Sequence, residues 1–240
     1  MKLIALAEFC PAFKAVAAAD APEEEKITRG KDLLAGLLQD DRFLVNALAA
    51  VAGSQTPEPF LPMDVNGVSL YRDPDRKFSL HLFIWEPYTP YPIHDHGSWG
   101  VVGCYRGKIE EKKWQVLERP DARTARLAVR QVGELTRGGT TFVQPLDAGL
   151  HSMKALDGKL ALSVHAYGEA VRKGNLQLYH RSGRGSDRFD VYNAYPLYAY
   201  RRLLALEALA AVGTEQAEAS VSEVLGDKAF KLAEEVRRFV

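Results

Sequence analysis

Between Phe78 and His180 the chain is cut by glycine-bearing turns into segments too short for helices and too apolar for loops. That spacing confines it to a sheet of many short strands. The segments are Phe78 to Trp85, Trp99 to Arg106, Lys108 to Leu117, Arg126 to Val132, Thr140 to Gln144, Leu160 to Tyr167 and Leu176 to His180. Gly107, Gly133, Gly138-Gly139 and Asp157-Gly158 mark turns between them. Such a rhythm predicts a sandwich or a barrel. Phe78 to Trp85 shows little polarity on either face, as a strand covered on both sides should.

The flanks read differently. Ile27, Leu33, Leu34, Leu37 and Leu38, then Leu44, Leu48 and Val51, recur at helical spacing, with Pro22 and Glu23 to Glu25 as a helix start. Pro57-Glu58-Pro59 closes that part. After Asp190 the pattern turns helical again, with Pro196 near a start, Leu203, Leu204, Ala208 and Val212 on one face, and Gly213 as a stop. A final helix is expected to carry Val221, Leu225, Leu232, Val236 and Phe239. The expected organisation is a helical segment over residues 1–56 packed on a barrel over 57–190, then a helical extension over 191–240, in one structural unit. The terminal helices are the candidates for contacts between copies of the chain.

Composition narrows the function. Lys and Arg number 31 and Asp and Glu 31, so no overall field favours nucleic acid or an anionic membrane. No apolar run is long enough to span a bilayer; Glu8 interrupts one and Glu207 the other. Cys10 and Cys104 are the only cysteines and form no CxxC, which fits a reducing cytoplasm and argues against a thiolate zinc site. Chemistry on a small molecule remains.

The residues suited to such chemistry are histidines. In Pro92-Ile93-His94-Asp95-His96 the two imidazoles stand two apart, and on a strand they reach the same side. Gly149-Leu150-His151 offers a third. Three neutral imidazoles with open positions suit a catalytic metal better than a closed structural one. On Ser163-Val164-His165-Ala166-Tyr167 the same period puts Ser163, His165 and Tyr167 on one polar face, where His165 can orient the Tyr167 hydroxyl. The alternative is a buried network that only satisfies itself. Arg72 has the planar fork that suits a carboxylate, its alternative being a surface pair with Asp73 or Asp75. His81 reads as a packed histidine in an apolar strand and His180 as a strand-end residue. Cys104 reads as a small buried hydrophobe, Arg172 with Lys173 as a solvated charge pair, and Trp85 and Trp99 as packing residues.

Pro92, the HxH pair, Gly100, Gly107 and the later Gly-x-His together resemble the two-part signature of cupins, without its usual glutamate ligand. The run from His94 to Gly107 is similar to that of the thiol dioxygenases typified by cysteine dioxygenase, above all their bacterial 3-mercaptopropionate dioxygenase-like members. Glycine at position 100 there replaces the cysteine that the mammalian enzymes cross-link to a tyrosine. Tyr71-Arg72 with Lys77-Phe78-Ser79-Leu80 resembles the segment whose arginine holds the substrate carboxylate, and Ser163-x-His165-x-Tyr167 matches the family relay. The resemblance covers roughly residues 65–180.

It implies a mainly β double-stranded β-helix with helical additions. It further implies Fe(2+) held by His94, His96 and His151, Arg72 on the substrate, and Tyr167, His165 and Ser163 orienting the reacting groups. The implied reaction joins O2 to a small thiol carboxylate, 3-mercaptopropionate or cysteine, to give the sulfinate. A zinc or manganese cupin hydrolase or isomerase, or a metal-dependent sensing module, are the competing readings.

Overall fold

The computed structural model describes residues 3–40, 42, 44–46, 48, 67–172, 176–194 and 214–226. Two helices come first, α1 (Leu6–Ala18) and α2 (Glu23–Leu37). In α1 the buried positions Phe9, Phe13, Val16 and Ala17 follow the helical period and form one stripe. In α2 three glutamates fill the first turn, where carboxylates complement the helix dipole, and Ile27, Gly30, Leu34 and Leu37 face inward.

Eleven strands follow among the described residues: β1 (Gly67–Arg72), β2 (Ser79–Trp85), β3 (Tyr91–His94), β4 (Gly100–Arg106), β5 (Ile109–Asp121), β6 (Thr124–Leu135), β7 (Thr140–Val143), β8 (His151–Ala155), β9 (Ala161–Tyr167), β10 (Leu176–Arg181) and β11 (Arg188–Ala194). A single 3-10 turn, Leu146–Gly149, leads into β8. All pairings are antiparallel. One sheet runs β1-β2-β9-β4-β7, and the other runs β10-β11-β6-β5-β8-β3 and closes through pairing of β3 with β10. This is the mainly β, two-sheet double-stranded β-helix with N-terminal helices that the strand rhythm and the family resemblance predict.

Each face of the five-stranded sheet has its own task. Outward-facing Leu80, Leu82, Val101, Val164 and Ala166 join Phe9, Phe13, Leu34, Leu37 and Leu38 in one core. The Phe13 ring lies 5.7 Å from Trp99 and 5.1 Å from Phe78. The inward row, set by the registers Gly100↔Tyr167, Val102↔His165 and Cys104↔Ser163, looks toward the other sheet. Strand β4 is therefore buried on both faces, from Gly100 to Tyr105.

Strands β1, β3, β8 and β11 are absent from the expected set. Strands β3 and β8 hold four and five residues, too few for a period to show, and β3 carries Pro92. Strand β11 pairs with β10 and β6 and extends to Ala194, past the expected boundary at 190. The chain divides into two compact units, Met1–Pro57 with Asn66–Ala194, and Glu58–Val65 with Tyr195–Val240. The second contains a helix, α3 (Glu215–Gly226). The expected features at Val51, Pro57 to Pro59, Lys173, Pro196 to Gly213 and Leu232 to Phe239 lie outside the described residues. No helix among the described residues is long and apolar enough to cross a membrane.

Because Phe13 is fully buried between Phe9, Phe78 and Trp99, Phe13→Ala should cost about 3–5 kcal/mol. A urea titration reads this as a lower midpoint at unchanged slope, and an unmoved midpoint would mean that α1 does not stabilise the sheet.

Candidate metal centre

His94 and His151 stand directly opposite each other on the paired strands β3 and β8, which is how residues far apart in sequence become neighbours. His96 lies two residues beyond His94, past the end of β3 rather than on it, so the strand alternation expected for the pair is completed by a loop. Asp95 anchors that loop: its backbone N–H donates to the Gln177 carbonyl at 3.1 Å. Its carboxylate accepts two bonds from Arg172, at 2.6 and 2.7 Å, and one from the Gln177 N–H at 2.7 Å. Arg172 is therefore no solvated charge. A bidentate pair ties it to a carboxylate with no exposure, and fixes the segment that carries His96.

The three imidazoles are buried, their ring centroids are 4.6–4.7 Å apart, and one nitrogen from each lies within 4.8 Å of the others. Among the described residues no other group of three metal-binding side chains occurs. Hydrogen bonds settle which nitrogen two of them can offer. The Nδ1 of His94 meets the Pro92 carbonyl at 3.0 Å, and a carbonyl only accepts, so the proton sits on Nδ1 and Nε2 presents a lone pair. The Nδ1 of His151 donates to Glu111 Oε1 at 2.8 Å, and Thr141 donates to the other Glu111 oxygen at 2.8 Å. Burial pushes the Glu111 carboxyl up, but the His151 and Thr141 bonds outweigh it and leave it below the usual carboxylate range.

The two Nε2 atoms then face each other at 3.2 Å. Lone pairs at that distance repel unless a proton or a cation lies between them. Metal–imidazole bonds of about 2.0–2.1 Å, set about 90–109° apart, separate ligand nitrogens by about 2.8–3.4 Å. His96 favours the cation: among the described residues neither of its buried ring nitrogens meets a partner in good hydrogen-bond geometry, the Gly149 backbone being the polar group beside it. Three converging imidazole nitrogens, two of them oriented by an acceptor on the far side of the ring, fit a metal ion. Among the described residues no carboxylate joins them, because Glu111 is taken up by His151 and Thr141.

The opposite wall comes from β9 and β2. Ser163 Oγ is 2.7 Å from His165 Nε2, and His165 Nδ1 is 2.8 Å from the Tyr167 hydroxyl, so the expected row is hydrogen-bonded throughout. The Tyr167 ring stacks beside His96, centroid to centroid 5.6 Å. A Cβ added at Gly100 would stand 2.5 Å from Tyr167 Cδ1, so the ring occupies the space that a side chain at position 100 would take. Trp85, expected only to pack, also donates its indole N–H to Ser163 Oγ at 2.8 Å.

His81 faces the same side as His165. Its ring lies 5.9 Å from Tyr167 and its Nε2 2.9 Å from Ser79 Oγ, so it packs beside the row and stands outside the group of three imidazoles. Arg72 ends β1 opposite Ser79 and is exposed. The carboxylates of Asp73 and Asp75 both pair with Lys14 instead. Cys104 is a buried thiol with its pKa pushed up to about 11 by burial, packed with Trp85 and Val102. Glu111 and Thr141 escaped the sequence reading, because Glu111 stands in the charged run Glu110 to Lys113, where nothing local marks it as buried.

No protein-family model matches the sequence. Several solved structures resemble the fold weakly. A cupin 2 conserved barrel domain protein from Rhodopseudomonas palustris is 16% identical, with 53% of this chain and 74% of that one covered at a TM-score of 0.37. A cupin-like protein from Thermotoga maritima is 15% identical, covering 52% and 84% at 0.34. The cupin domain of Cnp3 from Schizosaccharomyces pombe is 12% identical, covering 49% and 68% at 0.34. The strand order and register carry the fold without them.

Two outcomes follow from this geometry. Glu111→Ala should weaken metal binding about 10–100-fold in chelator competition, since the ring it orients would lose its acceptor; an unchanged affinity would contradict that role. The second concerns acid. Burial above all, and then the charge of His151 beside His94 and of Arg72 beside His81, pushes these histidines down to about 3 and about 4. Unfolded histidine takes up its proton near pH 6.5. Below that pH the unfolded chain binds more protons, so the metal-free protein should lose stability as pH falls from about 6.5 through about 4 to 3. Urea midpoints at pH 7.5 and 5 should differ in that direction, and equal midpoints would contradict neutral buried rings.

Proposed function

We propose that this chain is an iron-dependent thiol dioxygenase that adds both atoms of O2 to the sulfur of a small thiol carboxylate, RSH + O2 giving RSO2H. The observation that carries the reading is the three-imidazole set without a carboxylate among its members, with the Ser163-His165-Tyr167 row brought against it where the Tyr167 ring stacks beside His96. Three neutral ligands leave a divalent ion its full charge, and an anionic substrate gains most from that. A bound iron(II) supplies the redox chemistry of oxygenation and favours thiolate over a thiol whose free pKa is about 8.5.

The protein's own residues do the rest. His94, His96 and His151 would hold the ion. Tyr167, beside His96, directs its hydroxyl at groups bound there and fixes their orientation. Phe83 and Trp85 pack with the barrel interior and restrict water. Arg72, exposed at the end of β1 opposite Ser79, is the cation whose planar fork would meet the substrate carboxylate. Among the described residues the carboxylate beside the imidazoles is that of Glu111, and both its oxygens are taken by His151 and Thr141, so none is left to receive an amine, which favours 3-mercaptopropionate over cysteine.

Anaerobic loading with iron(II), followed by oxygen consumption on 3-mercaptopropionate, cysteine and cysteamine, tests this. Uptake of one O2 per thiol with a sulfinate product is expected, 3-mercaptopropionate being used at least as well as cysteine. No uptake by fully loaded protein with any of the three would overturn it. Zinc-loaded protein that turns over an ester or amide instead would favour hydrolysis. Arg72→Ala should lower kcat/KM for both acids on the order of tenfold or more and leave cysteamine nearly unchanged. An equal loss for cysteamine would show that Arg72 supports the fold.

A further inference from the structure

The hydrogen bonds behind Tyr167 have a direction, and Trp85 sets it. Four side chains form one buried line: Trp85 Nε1 to Ser163 Oγ at 2.8 Å, Ser163 Oγ to His165 Nε2 at 2.7 Å, and His165 Nδ1 to the Tyr167 hydroxyl at 2.8 Å. Serine, histidine and tyrosine can each give or take a hydrogen bond, so those three alone could run either way. An indole N–H only donates. Ser163 Oγ must accept from Trp85, and because Ser163 is fully buried, its own hydrogen needs an acceptor. His165 Nε2 is the side-chain atom within reach. A ring accepting at Nε2 carries its single hydrogen on Nδ1, and that hydrogen goes to the Tyr167 oxygen. In the reverse arrangement Ser163 would accept twice and bury an unused hydroxyl hydrogen, a cost of about 1–3 kcal/mol.

We infer that Trp85 is a positioning residue: it polarises the Ser163-His165 line so that His165 is the Nδ1–H tautomer and the Tyr167 hydroxyl hydrogen points away from His165. The consequence is functional. A tyrosine that accepts from His165 has its own hydrogen directed away from His165, and its ring stands beside His96. A tyrosine that donated to His165 would present lone pairs there and repel an anionic ligand. Burial, followed by the charges of His151, His81 and His94, holds His165 far below its ordinary pKa, so one tautomer of a neutral ring is the relevant species. That Tyr167 then serves as a donor to substrate or oxygen rests on the thiol-oxygenation reading, whereas the tautomer does not.

The test is long-range 1H–15N correlation NMR of the histidine rings in the full-length, zinc-loaded protein, which is diamagnetic. His165 in the natural sequence is expected to show a protonated Nδ1 and an unprotonated Nε2. A protonated Nε2 would overturn the assigned direction, whatever the reaction proves to be. In Trp85→Phe the indole donor is gone, Ser163 can turn its hydroxyl either way, and both tautomers should appear. A pure Nδ1–H ring in that variant would remove Trp85 from the role. In iron-loaded Trp85→Phe that retains full metal occupancy, kcat with 3-mercaptopropionate should fall on the order of tenfold with KM within about twofold. Unchanged kcat despite mixed tautomers would show that the orientation of Tyr167 does not matter to turnover. Ser163→Ala breaks the same line without touching the indole, and should also mix the tautomers if Trp85→Phe fails to fold.

Discussion

Two imidazole lone pairs held 3.2 Å apart, with the far side of each ring tied to a hydrogen-bond acceptor, are the constraint around which this protein is arranged. Neither ring can turn its N–H toward the other without giving up Pro92 or Glu111. The barrel thus spends a buried carboxylate, a strand pairing and a proline carbonyl on holding an arrangement that is repulsive until a cation enters it. Metal binding should therefore contribute to the stability of this unit as well as to its chemistry.

The two sheets divide the work. The closed sheet provides the ligands through β3, β8 and the loop after β3, and provides Glu111 from β5, diagonally adjacent to His151 across the β5–β8 register. The five-stranded sheet provides the polar row, because antiparallel registers stack Gly100 on Tyr167 and Ser79 on Tyr167 from either side. Its outer face is closed by two helices, and this permits β4 to be apolar throughout while still delivering Gly100 to the cavity. Outside the ring of ligands, the Asp95–Arg172 pair joins the loop bearing His96 to the segment before β10. It sits between two histidines in sequence and binds no metal, yet the position of His96 depends on it.

Much of this was legible in the sequence, for physical reasons that differ by element. The long strands announced themselves by glycine turns and continuous apolar character, and Ser163-His165-Tyr167 by a polar period of two. The helices showed a clear period of 3.6. Strands β3 and β8 gave no such signal, although the histidines they carry did; β7 is as short, but Gly138-Gly139 announces it. The partners of those histidines were harder to see. Glu111 and Thr141 are thirty residues apart and meet only through the barrel, and nothing local distinguishes Arg172 from a solvated arginine until Asp95 is brought beneath it. The indole hydrogen bond of Trp85 was hidden for the opposite reason: a tryptophan in an apolar strand already has a sufficient explanation in packing.

The measurement that bears most directly on the three-histidine site is X-ray absorption at the metal edge of the iron-loaded protein. The arrangement of His94, His96 and His151 predicts three nitrogen neighbours at about 2.0–2.2 Å, each with the outer-shell scattering of an imidazole ring, and remaining positions filled by light solvent oxygens alone. A spectrum with fewer than three imidazoles, or with a protein carboxylate or sulfur in the shell, would contradict it.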